Sequence, residues 1–333
     1  MSSIKRAVSL YSYQDEYARG KMTLEDCFAK LDDLGVEGVE IISDQMLPNS
    51  PFLTDETLEN WKKITEKYKV TPICNDIFIN TKLYKNRFLT KKENLELLIN
   101  EIKNANKLGI KLVRLVSMTP TDIIEEALPY AEKYDVCLAL EVHGGMSFNN
   151  PWTKAFTDIM FRVNSPYLGL VPDLGIFCRK HPRVSRNYFL SIGLNPELAD
   201  YIDSVFAEGK CFNRDILGYG HEMPPHVKAM IKSGIDFQYC IFAGGYENTD
   251  ISVLDPYMPY VKHIHGKIYE ITEEGEEYSI PYGEIIKYLK EKGYIGYIAT
   301  EYEGNRFTLA GNDVIAISQV EKHQAMLKRY IEE

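Results

Sequence analysis

The stretch LALEVHGGM, Leu138–Met146, sets a carboxylate and an imidazole two places apart at the end of an apolar run. Glu141 and His143 are followed there by two glycines. Three more such runs follow. LGLVPDLG carries Asp173, VKHIHGK carries His263, His265 and Lys267, and IATEYEG carries Glu301 and Glu303. In an extended strand, residues i and i+2 share a face. A carboxylate in an apolar strand is unfavourable unless it is paired or binds a cation. Glu141, Asp173 and Glu301, brought to one place, would repel one another, and a divalent cation would relieve that. With His265 they form a mixed oxygen and nitrogen donor set suited to Mn²⁺, Mg²⁺, Co²⁺ or Zn²⁺. Any one of them alone is more often a solvated or satisfied group; the recurrence on four strands is what points to a site.

The neighbours suggest further roles. His263 and Glu303 stand two places from a ligand and could orient it or touch substrate. His143, with an ordinary pKa near 6.5, suits proton transfer. Lys267 could stabilise an enolate or phenolate oxygen. Glu40, near the end of an early strand, reads as a structural ion-pair partner. His323 reads as a surface residue, and His181, His221 and His226 as pocket residues without further signal.

These side chains need eight strands to carry them. Arg6–Tyr13, Gly38–Ser43, Val70–Phe78, Lys111–Ser117, Val136–His143, Leu168–Gly175, Tyr260–Ile271 and Tyr294–Gly304 read as strands. Amphipathic helices fall between most of them. One starts after Thr23, a plausible N-cap with Asp26 three places on, and stops at Gly35. Near-continuous apolar strands imply a parallel sheet buried on both faces. The expectation is an α/β chain, a single (β/α)8 TIM-barrel domain over 1–333, with the polar residues on its C-terminal rim. An irregular helical insertion between strands 6 and 7, residues 177–257, would be a lid or a subunit interface. Within it, FQYCIF (Phe237–Phe242) reads as strand-like but has no place in the barrel. A doubly wound open sheet would want a Gly-rich turn after an early strand, and none follows strand 1 or strand 2.

Bulk properties exclude other classes. The 333 residues carry a formal net charge of −10, which argues against nucleic acid as the partner. No run reaches the roughly 18 apolar residues of a membrane span, and no secretory signal is evident. Six scattered cysteines without a CxxC fit a reducing cytoplasm, with Cys74 and Cys137 as buried thiols. The 23 tyrosines could in part line a site for a ring-bearing ligand.

In order and spacing, LALEVHGG, LGLVPDLG, HIHGK and IATEYEG resemble the xylose-isomerase-like barrels of the sugar phosphate isomerase/epimerase superfamily. That resemblance implies one divalent metal ion, Mn²⁺ or Mg²⁺ before Co²⁺ or Zn²⁺, on Glu141, Asp173, His265 and Glu301. The chain departs from the ketose 3-epimerases at Ile176 and Ile271, where those enzymes have a His and an Arg. A narrower resemblance rests on AVSLYSYQDEYARGKMTLEDC, the EVHGG strand end and the long insertion. These are similar to the catalytic α subunit of bacterial C-glycoside deglycosidases. It implies a carbon–carbon lyase that takes a 3-oxo-C-glycoside, splits sugar from aglycone, and works with a small β subunit. His143, Glu141 and Glu301 would be catalytic; Lys267, His263 and Glu303 would bind substrate. The alternatives are a sugar isomerase or epimerase in which Glu141 and Glu301 exchange the proton, and a non-enzymatic sugar-binding barrel. Metal-dependent endonucleases of abasic DNA share the superfamily, but the acidic charge argues against them.

Overall fold

The computed structural model describes residues 4–79, 87–220 and 222–333. Its sheet has eight strands: β1 Lys5–Ser9, β2 Gly38–Ile41, β3 Thr71–Ile77, β4 Leu112–Leu115, β5 Cys137–Val142, β6 Leu168–Pro172, β7 Ile264–Ile268 and β8 Tyr297–Tyr302. They pair in parallel in the order β6-β5-β4-β3-β2-β1-β8-β7. Two isolated bridges, Leu170 to Val261 and Asp173 to His265, draw β6 and β7 together. The fold is a (β/α)8 barrel.

Local chemistry sets the helix starts. Thr23 caps helix Leu24–Asp33 in a reciprocal pair with Asp26, and Thr90 caps Lys91–Lys107 in the same way with Glu93. Gly35, at φ +61°, takes the left-handed turn that ends the first of these.

The period of two along the strands builds two layers inside the barrel. Cys74, Leu112, Ala139 and Val171 form a small apolar cluster of their own. Two places further along the same strands stand Asp76, Arg114, Glu141 and Asp173, all buried. A polar layer therefore sits on an apolar plug, at the C-terminal ends of the strands.

Four expectations change. Phe237–Phe242 is not a strand: it lies in helix Gly234–Ala243, capped reciprocally by Ser233 and Asp236. Its alternation is a helical one, with Asp236, Tyr239, Cys240 and Ala243 buried and Phe237 and Ile241 exposed. His323 is not on the surface. It is fully buried on helix Ala316–Glu332, on one face with Gln319, Val320 and Leu327. Several strand runs are shorter than the apolar pattern; Leu10–Tyr13, for example, is a 3₁₀ turn after β1. Cys137 is only half-buried, whereas Cys74 is fully buried.

Between β6 and β7 the chain forms helices Arg183–Ser191, Pro196–Ala207, Pro225–Met230 and Gly234–Ala243 with short turns. Among the described residues, no helix is long and apolar enough to cross a membrane.

Candidate active site

One oxygen or nitrogen each from Glu141, Asp173, His265 and Glu301 lies within 4.8 Å of the others, and all four residues are buried. They come from β5, the turn after β6, β7 and β8. Asp173 is fixed by its own turn, since its Oδ1 accepts the amide of Gly175 at 2.7 Å.

His265 is held from both sides. Its Nδ1 is 2.8 Å from Glu141 Oε1 and 3.4 Å from Glu301 Oε2. Its Nε2 is 3.1 Å from Glu40 Oε2, which also meets His263 Nε2 at 2.8 Å. Burial disfavours its charged form, but Glu40, Glu301 and Glu141 outweigh that and hold His265 well above the usual imidazole range. The ring is thus held as an imidazolium, donating from Nδ1 to Glu141 and from Nε2 to Glu40. Were an ion to displace the Nδ1 proton, Glu40 would keep the other on Nε2, as a carboxylate does behind a metal-binding histidine. Glu40 is thus the ion-pair partner expected of it, meeting His265 of β7 and His263 just before that strand.

Lys267 lies among the acids, its Nζ 2.6 Å from Glu301, 3.0 Å from Glu303 and 3.1 Å from Asp173. Burial works against its charge, yet Asp173, Glu301 and Glu303 raise it well above the ordinary lysine value. Burial pushes Asp173 up to about 6 against the pull of Lys267. Arg306 pairs with Glu303 at 2.8 Å and donates to the Tyr11 hydroxyl at 2.7 Å.

Sequence reading missed Arg114, Asp76 and Ser117. Arg114 pairs with Asp76 at 3.1 Å and approaches Glu141 at 3.7 Å. Ser117 Oγ lies 2.6 Å from His143 Nε2. The i, i+2 rule that singled out Glu141 and His143 applies equally to the strand runs holding Asp76 and Arg114.

These residues fit a cation. In and beneath the cluster, the five buried carboxylates Glu40, Asp76, Glu141, Asp173 and Glu301 outnumber the buried cations Lys267 and Arg114, even with His265 protonated. A divalent ion would balance most of that excess.

A cavity of about 330 Å³ opens onto the cluster. Neighbouring strands β3, β4 and β5 and the turns after them line one arc with Phe78, Arg114, Val116, Glu141 and His143. The opposite arc, at β7, β8 and the turn after β1, carries Lys267, Glu301, Glu303 and Tyr11. Ile241, Phe242, Gly245 and Tyr246, from the stretch between β6 and β7, line the cavity as well. His263 does not line it. His181 is buried elsewhere, His226 meets Tyr201 at 2.9 Å, and His221 lies outside the described residues.

The xylose isomerase-like TIM barrel family model matches residues 28–180. Over 314 residues the chain is 29% identical to the 3'-dehydrocarminate deglycosidase alpha subunit of a Microbacterium species, covering 89% of this chain and 87% of that one. The chain resembles the α subunits of C-glycoside deglycosidases. A second relative of that kind, from Arthrobacter globiformis, is 27% identical over 310 residues, covering 90% and 84%. Among solved structures, D-psicose 3-epimerase from Clostridium cellulolyticum H10 aligns with a TM-score of 0.58 at 14% identity, over 99% of this chain and 100% of that one. An L-ribulose 3-epimerase aligns at 0.56 and 12%, over 99% and 95%. At such identities these structures speak for the fold alone.

Proposed function

We propose that this chain is the catalytic subunit of a divalent-metal-dependent C-glycoside deglycosidase, a carbon–carbon lyase acting on 3-oxo-C-glycosides of the flavonoid type. The observation that carries the reading is the composition of the cavity. Lys267, Glu301 and Glu303 on one arc suit a polyol, while Phe78, Val116 and His143, on the arc that also carries Arg114 and Glu141, suit a flat phenol. The names of the similar α subunits support it.

Glu141, Asp173, His265 and Glu301 would hold the ion, which when bound supplies Lewis-acid polarisation of the sugar's oxygens. Glu301 or Glu141 takes the proton from C2, acidified by the C3 ketone. Lys267, fixed as an ammonium, stabilises the enolate oxygen. His143 removes a phenolic proton, so that the ring carbon bearing the sugar becomes basic and takes up a proton. The enolate electrons then form the C1–C2 double bond, and the C1–aryl bond breaks with its pair going to the ring. One proton leaves C2 and one arrives on the ring carbon, and His143 returns the phenolic proton to the phenolate that the bond cleavage leaves, so the products are the free aglycone and an unsaturated keto-sugar.

A sugar isomerase or epimerase on the same acids is the second reading, favoured by the barrel fold of the epimerase structures. Against it, Ile176 and Ile271 are buried apolar residues where ketose 3-epimerases have polar contacts. Assembly with a small β subunit, and cytoplasmic residence, belong to the same proposal. The first is supported by the α-subunit names of the relatives, the second by six cysteines free of disulfides.

The test is a paired assay on metal-loaded protein co-expressed with its genomic neighbours. One arm follows aglycone release from a 3-oxo-C-glucosyl flavonoid; the other follows deuterium uptake into free ketoses. Release that is lost with chelator and with His143→Ala supports the lyase. Uptake without release supports the isomerase.

A further inference from the structure

His143 is gripped at both ring nitrogens. Nδ1 lies 2.6 Å from the carbonyl oxygen of Gly144, and Nε2 lies 2.6 Å from Ser117 Oγ. A carbonyl can only accept, so Nδ1 carries a proton; in the neutral ring Nε2 then accepts from the serine hydroxyl. The state of the ring therefore depends on where the Gly144 carbonyl is held.

Two contacts hold it, and both come from the chain that follows helix Gly234–Ala243. Gly144 lies hard against Gly245: a Cβ on Gly144 would stand 2.0 Å from the Gly245 carbonyl oxygen. Gly144 has no left-handed backbone to accommodate, so the close approach alone demands glycine there. The second contact is Glu247, a fully buried carboxylate. Its Oε1 accepts the amide of Gly145 at 2.9 Å, and its Oε2 accepts the Thr249 hydroxyl at 3.3 Å. The same segment is pinned on its other side, where the Thr249 amide donates to the Ile176 carbonyl at 3.1 Å. It thus bridges the ends of β5 and β6.

We propose that Gly144 and Glu247 are positioning residues through which the segment Gly244–Thr249 clamps the Gly144–Gly145 loop and keeps His143 in one tautomer and one orientation. The stretch between β6 and β7 is then part of the proton-transfer machinery. This rests on reading His143 as the proton-transfer residue.

Imidazole ¹⁵N NMR, with His143 assigned by His143→Gln, tests the clamp without any substrate. The full-length protein is expected to show a single Nδ1–H tautomer. Glu247→Ala and Gly144→Ala, which cut different contacts, should each give a mixture of tautomers. In the aglycone-release assay they should lower kcat about 100-fold, the scale of an ångström's misplacement, with KM changed less than about threefold. Glu247→Gln keeps the accepting oxygen and should restore the single tautomer and most of kcat. A single tautomer and unchanged kcat in either disruptive variant, with its melting temperature intact, would overturn the proposal. Undiminished release by His143→Gln would instead overturn the role given to His143, while the tautomer measurement still decides the clamp.

Discussion

Glu40 Oε2 lies 3.1 Å from His265 Nε2, across the ring from the nitrogen that faces Glu141 and Glu301. The acid on Nε2 comes from β2, the acids on Nδ1 from β5 and β8. Glu40→Gln can present an amide NH to the ring and favour the wrong tautomer, so metal affinity should fall 10–100-fold, the usual effect of losing such a partner. Competition with a graded chelator reads this directly. Unchanged affinity would mean that His265 does not bind metal through Nδ1.

Lys267 is the cation on which the buried acids depend. Lys267→Met leaves Asp173 and Glu301 without their ammonium, and metal-free protein should lose about 3–5 kcal/mol, as when one partner of a buried pair is removed. Adding Mn²⁺ should raise Tm more in the variant than in the parent. Equal gains in the two proteins would show that lysine and metal are not balancing the same charges.

His181 and His323 make the fold acid-labile. Burial lowers both imidazoles from 6.5 to about 3. Below pH 6.5 the unfolded chain takes up protons that the folded chain refuses, so stability is complete above 6.5 and is lost as pH falls towards 3. Between pH 6.5 and 5 the loss is about 2 kcal/mol for each histidine. The Thr300 hydroxyl, which accepts from Gln324, lies 2.7 Å from His323 Nδ1 and has its own proton to offer a neutral ring. Asp173 and His265, both raised, drift the other way over this range, so the reading is the difference between parent and His323→Gln: from pH 7 to 5 the variant should lose about 2 kcal/mol less in denaturant melts.

Much of the barrel could be read from the primary sequence because buried parallel strands are continuous apolar runs and their helices carry strong caps. Glu141, Asp173, His265 and Glu301 stood out because acids and imidazoles interrupt those runs in phase. Asp76 and Arg114 did not, since each finds its partner on the neighbouring strand and not two places away in its own run. Ser117 gave no signal at all: a serine closing a strand is ordinary until a histidine from the next strand is found 2.6 Å away. FQYCIF and His323 were misread for a shared reason. Short windows hide the helical period, which emerges only once the Ser233 cap, or the whole face from Ala316 to Leu327, is counted.

The ladder is continuous around the barrel except between β6 and β7, where two isolated bridges and the Lys262 amide on the Leu170 carbonyl do the joining. Asp173 and His265 stand on either side of that seam. An ion shared by them would act as a clasp, fastening the cylinder at the one line where backbone lacing runs short. Amide hydrogens of Lys262 and its neighbours should then exchange more slowly once metal is added, while those between β4 and β5 should exchange at the same rate with or without it.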